Sequence, residues 1–145
     1  MRLAIRSTLS FALIATLGCA SSLFGDSDKQ SELEDAQRKY TELVRWGEID
    51  RASFYVDPSM VNEYRDTAAR FENIRFTDFE SGALQFGEGS NTATVHVVYH
   101  AYSTKTLVEK TIRERQEWYR EASAADGWRV RPNLAAIASE LSGAR

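Results

Sequence analysis

Along the 145 residues the spacing of apolar positions changes several times, and each change marks an element. An uncharged run from Ser7 to Gly18 follows Arg2 and Arg6 and ends at Cys19. The stretch Ala20–Gln30 is rich in Ser, Gly and Asp and reads as a spacer. Helical spacing begins at Leu33 and continues through Ala36, Tyr40, Leu43 and Val44, behind the capping-box pattern Ser31-Glu32-Leu33-Glu34. Gly47 is the predicted stop. A second, shorter helix is expected from about Glu48 to Tyr55. Asp57-Pro58 then supplies an N-cap and first helical residue for a third, whose face carries Met60, Val61, Tyr64, Ala68 and Phe71.

From Asn73 the period falls to two, as in a half-buried strand. Ile74 and Phe76 open the first strand, and Ala83–Phe86 is a short partner after the turn Ser81-Gly82. Thr92–Tyr102 and Thr106–Glu121 form two long strands about the turn Ser103-Thr104-Lys105. Gly127–Arg131 is the last, stopped by Pro132, and Leu134, Ile137, Ala138 and Leu141 suit a terminal amphipathic helix. Helices followed by a strand meander predict an α+β fold, with N-terminal helices packed on a curved antiparallel sheet.

In two places, Trp46–Val56 and the hairpin Gln116-Glu117-Trp118-Tyr119-Arg120 with Asp126-Gly127-Trp128-Arg129-Val130, the chain resembles the nuclear transport factor 2-like (SnoaL-like) superfamily. The resemblance spans about residues 30–131, by element order more than by any motif. It implies a cone in which the sheet wraps helices around an open-ended cavity. It also implies either a binding module or an enzyme with Asp, His or Tyr in that cavity. A cystatin-like helix on a sheet is the alternative architecture.

The leader decides the address. Twelve residues of helix span roughly 18 Å, short of a hydrocarbon core of about 30 Å. Ser7–Gly18 is therefore a signal segment and not a membrane span. Thr16-Leu17-Gly18-Cys19 resembles the lipobox of bacterial lipoproteins, with Thr16 standing where Leu is commonest. The resemblance implies cleavage before Cys19 and acyl chains such as palmitate on it. Chains of that kind contribute about 0.8 kcal/mol per buried methylene, and two or more anchor stably. Ala20 after the cysteine favours the outer membrane, facing the periplasm, in a host with two membranes. Gly18-Cys19-Ala20 also suits ordinary signal peptidase, and an uncleaved anchor is the third outcome. The domain organisation is thus a signal peptide at 1–18, a lipidated cysteine and flexible tether at 19–30, and one α+β domain at 31–145.

Charge narrows the partners. Without Arg2 and Arg6, sixteen basic residues face twenty-one acidic ones, a balance of −5. Such a domain attracts neither nucleic acid nor anionic lipid in general, so membrane attachment falls to Cys19. That residue is the lone cysteine, which excludes an intrachain disulfide and leaves the fold to its apolar core. An envelope protein partner or a second copy of the chain are the remaining candidates.

No phosphate loop, nucleophile triad or metal-ligand spacing is present, and no cofactor is expected. His96 and His100 share one strand face but stand roughly 13 Å apart along it, too far to hold one metal ion. The apolar alternates Val95, Val97 and Tyr99 turn both histidines toward solvent or a dimer partner. On the next strand Lys110, Glu114 and Gln116 fall on the inward face. A buried Glu114 would have a raised pKa and could serve a hydratase or isomerase as acid or base. A bulge, an edge position or pairing with Lys110 would instead leave it a solvated or paired structural group. Tyr64, Tyr99 and Trp118 are the candidate ligand pocket, with Tyr40, Trp46, Tyr55 and Trp128 as further core or pocket wall. The leading expectation is a membrane-anchored, non-enzymatic domain that binds a partner protein or a small apolar ligand. The alternatives are a cavity enzyme using Glu114 and a structural homodimer.

Overall fold

The computed structural model describes residues 21–120, 127–133 and 137, with side chains described from residue 27. The lipobox, Cys19 and most of the terminal helix expected after Pro132 lie outside these residues.

Helix α1 runs Ser21–Arg45. It starts well before the Ser31 box, so Ser31 sits inside the helix, and residues 21–30, expected as a spacer, are helical. Its buried stripe is Leu33, Gln37, Tyr40, Thr41 and Val44, the three- and four-residue spacing that keeps one face on a core. At its end Gly47 takes φ +72°, which a side chain would strain. The Gly47 N–H then reaches Val44 O at 3.0 Å and the Glu48 N–H reaches Leu43 O at 2.9 Å. This is a Schellman ending, and it places Trp46 outside the core, 69% exposed with Arg45 over its ring. The expectation that Trp46 forms core is thereby corrected, and the indole instead lines surface hollows at the end of α1. The turn that stops the helix points the indole away.

The second helix is α2, Ile49–Ala52, continued by a 3₁₀ turn to Tyr55 that turns Phe54 out and keeps Tyr55 half-buried. Asp57 caps the next segment, its Oδ1 accepting the Ser59 N–H at 3.0 Å. After a 3₁₀ turn at Pro58–Met60, α3 spans Val61–Ala68 and fully buries Tyr64 and Ala68.

Five strands form one antiparallel sheet: β1 Ile74–Ser81, β2 Gln85–Phe86, β3 Thr92–Ser103, β4 Glu109–Arg120 and β5 Trp128–Pro132. The order is β1-β3-β4-β5, with β2 beside β3 beyond the end of β1. β2 and β4 are shorter than their sequence patterns, and β5 extends through Pro132. Pro132 is tolerated because β5 is an edge strand, laddered to β4 on one side and bridged on the other at Val130 by Val56, and a proline can stand at such an edge. β1 is the other edge strand. A bulge between Phe76 and Asp78 bends it, and Arg45 caps Thr77 O at 2.9 Å. Asp78 holds the Phe79 N–H. Both devices occupy backbone groups that would otherwise template strand addition.

Helices then a curved antiparallel sheet make this an α+β fold. The core lies between the helices and the inner sheet face: Val95, Val97 and Tyr99 of β3, Ile112 and Trp118 of β4, and Trp128 and Val130 of β5. Ile137 joins this core, and its N–H reaches Asn133 O.

Candidate functional site

Alternation on β3 and β4 sends Tyr99, Glu114, Gln116 and Trp118 to the inner face, where each is at most 1% exposed. Tyr99 Oη donates to Glu114 Oε2 at 3.1 Å, and Gln116 Nε2 donates to the same oxygen at 2.8 Å. Trp118 Nε1 donates to Gln116 Oε1 at 3.1 Å. One polar chain therefore runs across two strands through the middle of the core.

The helices close over it. Tyr40 of α1 packs edge-on against Trp118, ring centroids 5.8 Å apart, and lies 6.4 Å from Tyr64 of α3. Beside it Gln37 donates to Thr41 and to Ser81, each at 3.0 Å, fastening α1 to the end of β1. On the far side Phe76 packs against Tyr99 at 5.3 Å. The four residues expected from sequence at the site, Glu114, Tyr64, Tyr99 and Trp118, are thus brought together, and Tyr40 joins them. Tyr40 was legible as a core position, but its place at the centre depends on how α1 crosses the sheet.

Burial raises the Glu114 pKa to about 7, against the opposing pull of the Gln116 and Tyr99 hydrogen bonds. Its Oε1 has no hydrogen-bond partner. A solvated Glu114, one of the structural alternatives, is ruled out by its 1% exposure. The inward face of β4 lies against the helices, away from water. Burial likewise lifts Tyr40 and Tyr99 well above the usual phenol range, with the Glu114 carboxyl adding to both. Tyr64 is also raised, by burial first. Its Oη makes no hydrogen bond of normal geometry, although the Tyr40 hydroxyl is near enough to ease its ionisation.

A second buried carboxylate behaves in the opposite way. Burial would raise Asp57 too, but Arg131 Nε at 2.8 Å and the Ser59 hydroxyl and N–H outweigh it and hold the group well below the usual range. Asp57 also donates its N–H to Val130 O at 2.9 Å, and Arg131 lies over the Tyr119 ring at 4.5 Å. The clasp joins the start of the α3 segment to β5. The sequence showed Asp57 as a cap. The arginine 74 residues away left no local signal.

Two of the surface hollows of ligand dimensions lie against the sheet. One, of about 670 Å³, lies between α1 and the β1–β2 turn, with Glu34, Arg38, Phe79 and Leu84 in its wall. The other, of about 450 Å³, lies at the β2–β5 end of the sheet, with Phe86, Thr94, Arg115 and Arg131. Glu114 lines neither. His96 is exposed on the outer sheet face and His100 half-buried there, with His100 Nε2 3.9 Å from Glu80. Among the described residues no three His, Cys, Asp or Glu side chains could hold a metal ion, and no helix is long and apolar enough to cross a membrane.

No family model matches the chain, and no curated protein matches it. A solved protein from Catenulispora acidiphila is similar in structure, with a TM-score of 0.51 at 13% identity, covering 79% of this chain and 99% of that one. At that identity the likeness concerns the fold alone.

Proposed function

We propose that the chain is a lipid-anchored protein of the cell envelope, with a nuclear transport factor 2-like domain that binds a partner protein and is not an enzyme. The anchor rests on the leader ending at Cys19. The observation that carries the binding reading is the outer sheet face. There His96, Arg113 and Arg115 are exposed around half-buried Val98, while the inner face is covered by helices. A partner protein fits better than a small apolar ligand because Tyr40, Tyr99 and Trp118 fill the interior.

Replacing Cys19 with Ala moves the protein from the membrane fraction to soluble or unprocessed form, read by fractionation and by mass spectrometry of the N-terminus. Mature protein beginning at Ser21 without acyl chains would refute the anchor. Photocrosslinking from position 96 in cells tests the face, and a crosslink no stronger than one from exposed Glu63 on α3 refutes it.

A second copy of the chain is the second reading of the partner, favoured by the charge layout of that face. Asp78 and Glu80 pair in register with His100 and Val98 on the β1 side, whereas Arg113 and Arg115 lie on β4. A two-fold axis along the strands would lay the acidic side of one copy over the basic side of the other. Sedimentation of the full chain in detergent distinguishes monomer from dimer.

A further inference from the structure

The hollow between α1 and the β1–β2 turn, about 670 Å³, has two unlike walls. The sheet side is apolar, with half-buried Phe79 and Leu84. The helix side is acidic. α1 presents Glu34, Arg38 and Glu42 there at four-residue intervals, which keeps them on one face. Arg38 is turned to Asp35, 2.8 Å away. Among the described residues Glu34 is met by the Gln30 amide, at 3.3 Å, and neither Glu34 nor Glu42 pairs with a cation. Three carboxylates against one guanidinium leave this wall negative. Between the walls Gln37, 6% exposed, donates to Ser81 at 3.0 Å. That bond closes the floor, so the hollow is a surface groove and not a way into the core.

Length decides what fits. Glu34 and Glu42 are eight residues apart, roughly 12 Å along the helix axis. A small cation that meets one of them leaves the other unmet. An extended chain rises about 3.3 Å per residue and turns alternate side chains to one face. Cations four residues apart on such a chain therefore span roughly 13 Å, and the residue midway between them faces the same way. We propose that the groove docks an extended segment of a partner protein in which two basic residues, four apart, flank an apolar one. The cations meet Glu34 and Glu42, and the apolar side chain lies on Phe79 and Leu84. The match is one of charge and of shape: an acidic helix wall, an apolar sheet wall and a spacing that a peptide reproduces. The groove shares no residue with the outer sheet face around His96, Arg113 and Arg115, so this contact stands apart from the one proposed there. Because its charges are solvated, docking weakens as ionic strength rises.

An NMR titration of the full chain in non-ionic detergent tests this. The probe is a capped nine-residue peptide of serines with lysine, leucine and lysine at its third, fifth and seventh positions. Resonances of Glu34, Glu42, Phe79 and Leu84 should shift, and those of His96 and Arg115 should stay in place. Glu34→Gln combined with Glu42→Gln changes two exposed side chains and should weaken binding about fivefold, the scale of two solvated ion pairs. Replacing the peptide's leucine by serine should weaken it as well. Absence of shifts in the groove, or equal affinity of the double variant, would overturn the proposal. So would equal binding of a peptide with glutamates in place of its lysines. Spermidine, a linear polyamine, is the last arm. If it binds as tightly as the peptide, the groove is a site for small cations and the docking of a protein segment is overturned.

Discussion

Glu114 and Asp57 are both carboxyls withdrawn from water, at 1% and 6% exposure, and their acidities diverge in opposite directions. Desolvation acts on both and raises both. What separates them is the company kept. Asp57 faces a guanidinium and a helix-start N–H, groups that favour the anion. Glu114 faces a phenol and an amide, which hydrogen-bond to it but carry no charge. Burial alone therefore does not set the state of a carboxyl. The nearest cation does, and among the described residues the fold places one at the β5 edge and none beside Glu114.

The sharpest way to break this contrast is Glu114→Gln. A folded pKa of about 7 against an ordinary 4.5 means stability is greatest below about pH 4.5 and declines until about pH 7. That decline amounts to roughly 3 kcal/mol. Urea denaturation across this range should show the decline in the wild type and a nearly flat curve in the variant. Asp57→Asn is next. It should cost about 2 kcal/mol at pH 7, the scale of a charge-assisted hydrogen bond plus a helix cap. Half-exposed Arg131 keeps the cost from being larger. The sign is reversed here: the stability from Asp57 is present above the ordinary 3.8 and is lost as pH falls below it. Both variants should therefore part from wild type toward neutral pH and in opposite directions, Glu114→Gln more stable and Asp57→Asn less.

Tyr99→Phe is subtler, at about 1 kcal/mol for one buried hydrogen bond. It removes a donor that favours the carboxylate, so the Glu114 titration followed by carbon-13 NMR should move above 7. Arg115→Gln is the control. Its pair with Glu117, at 3.2 Å and half-exposed, should be worth under about 0.5 kcal/mol. A large loss there would mean that the outer sheet face contributes to stability within the single chain.

Local chemistry made much of this architecture readable in one dimension. The period of three to four through Leu33, Tyr40 and Val44, the stop at Gly47, the cap at Asp57 and the alternation along β3 and β4 each depend on neighbours within a few residues. The inward turn of Glu114 and Gln116 and the outward turn of His96 and His100 follow from that alternation alone. Where the reading failed, a distant or geometric cause was at work. The Ser31 box lost to a helix that had already begun, and Trp46 left the core because the Schellman turn rotates the chain. The crossing of α1 over β4, which puts Tyr40 against Trp118, came from tertiary packing, as did the meeting of Arg131 with Asp57. Sequence determined that an inward carboxyl would sit on β4. Only the packed helices and strands decided that none of the described cations would stand beside it, because charge partners in a core are chosen by three-dimensional proximity and not by spacing along the chain.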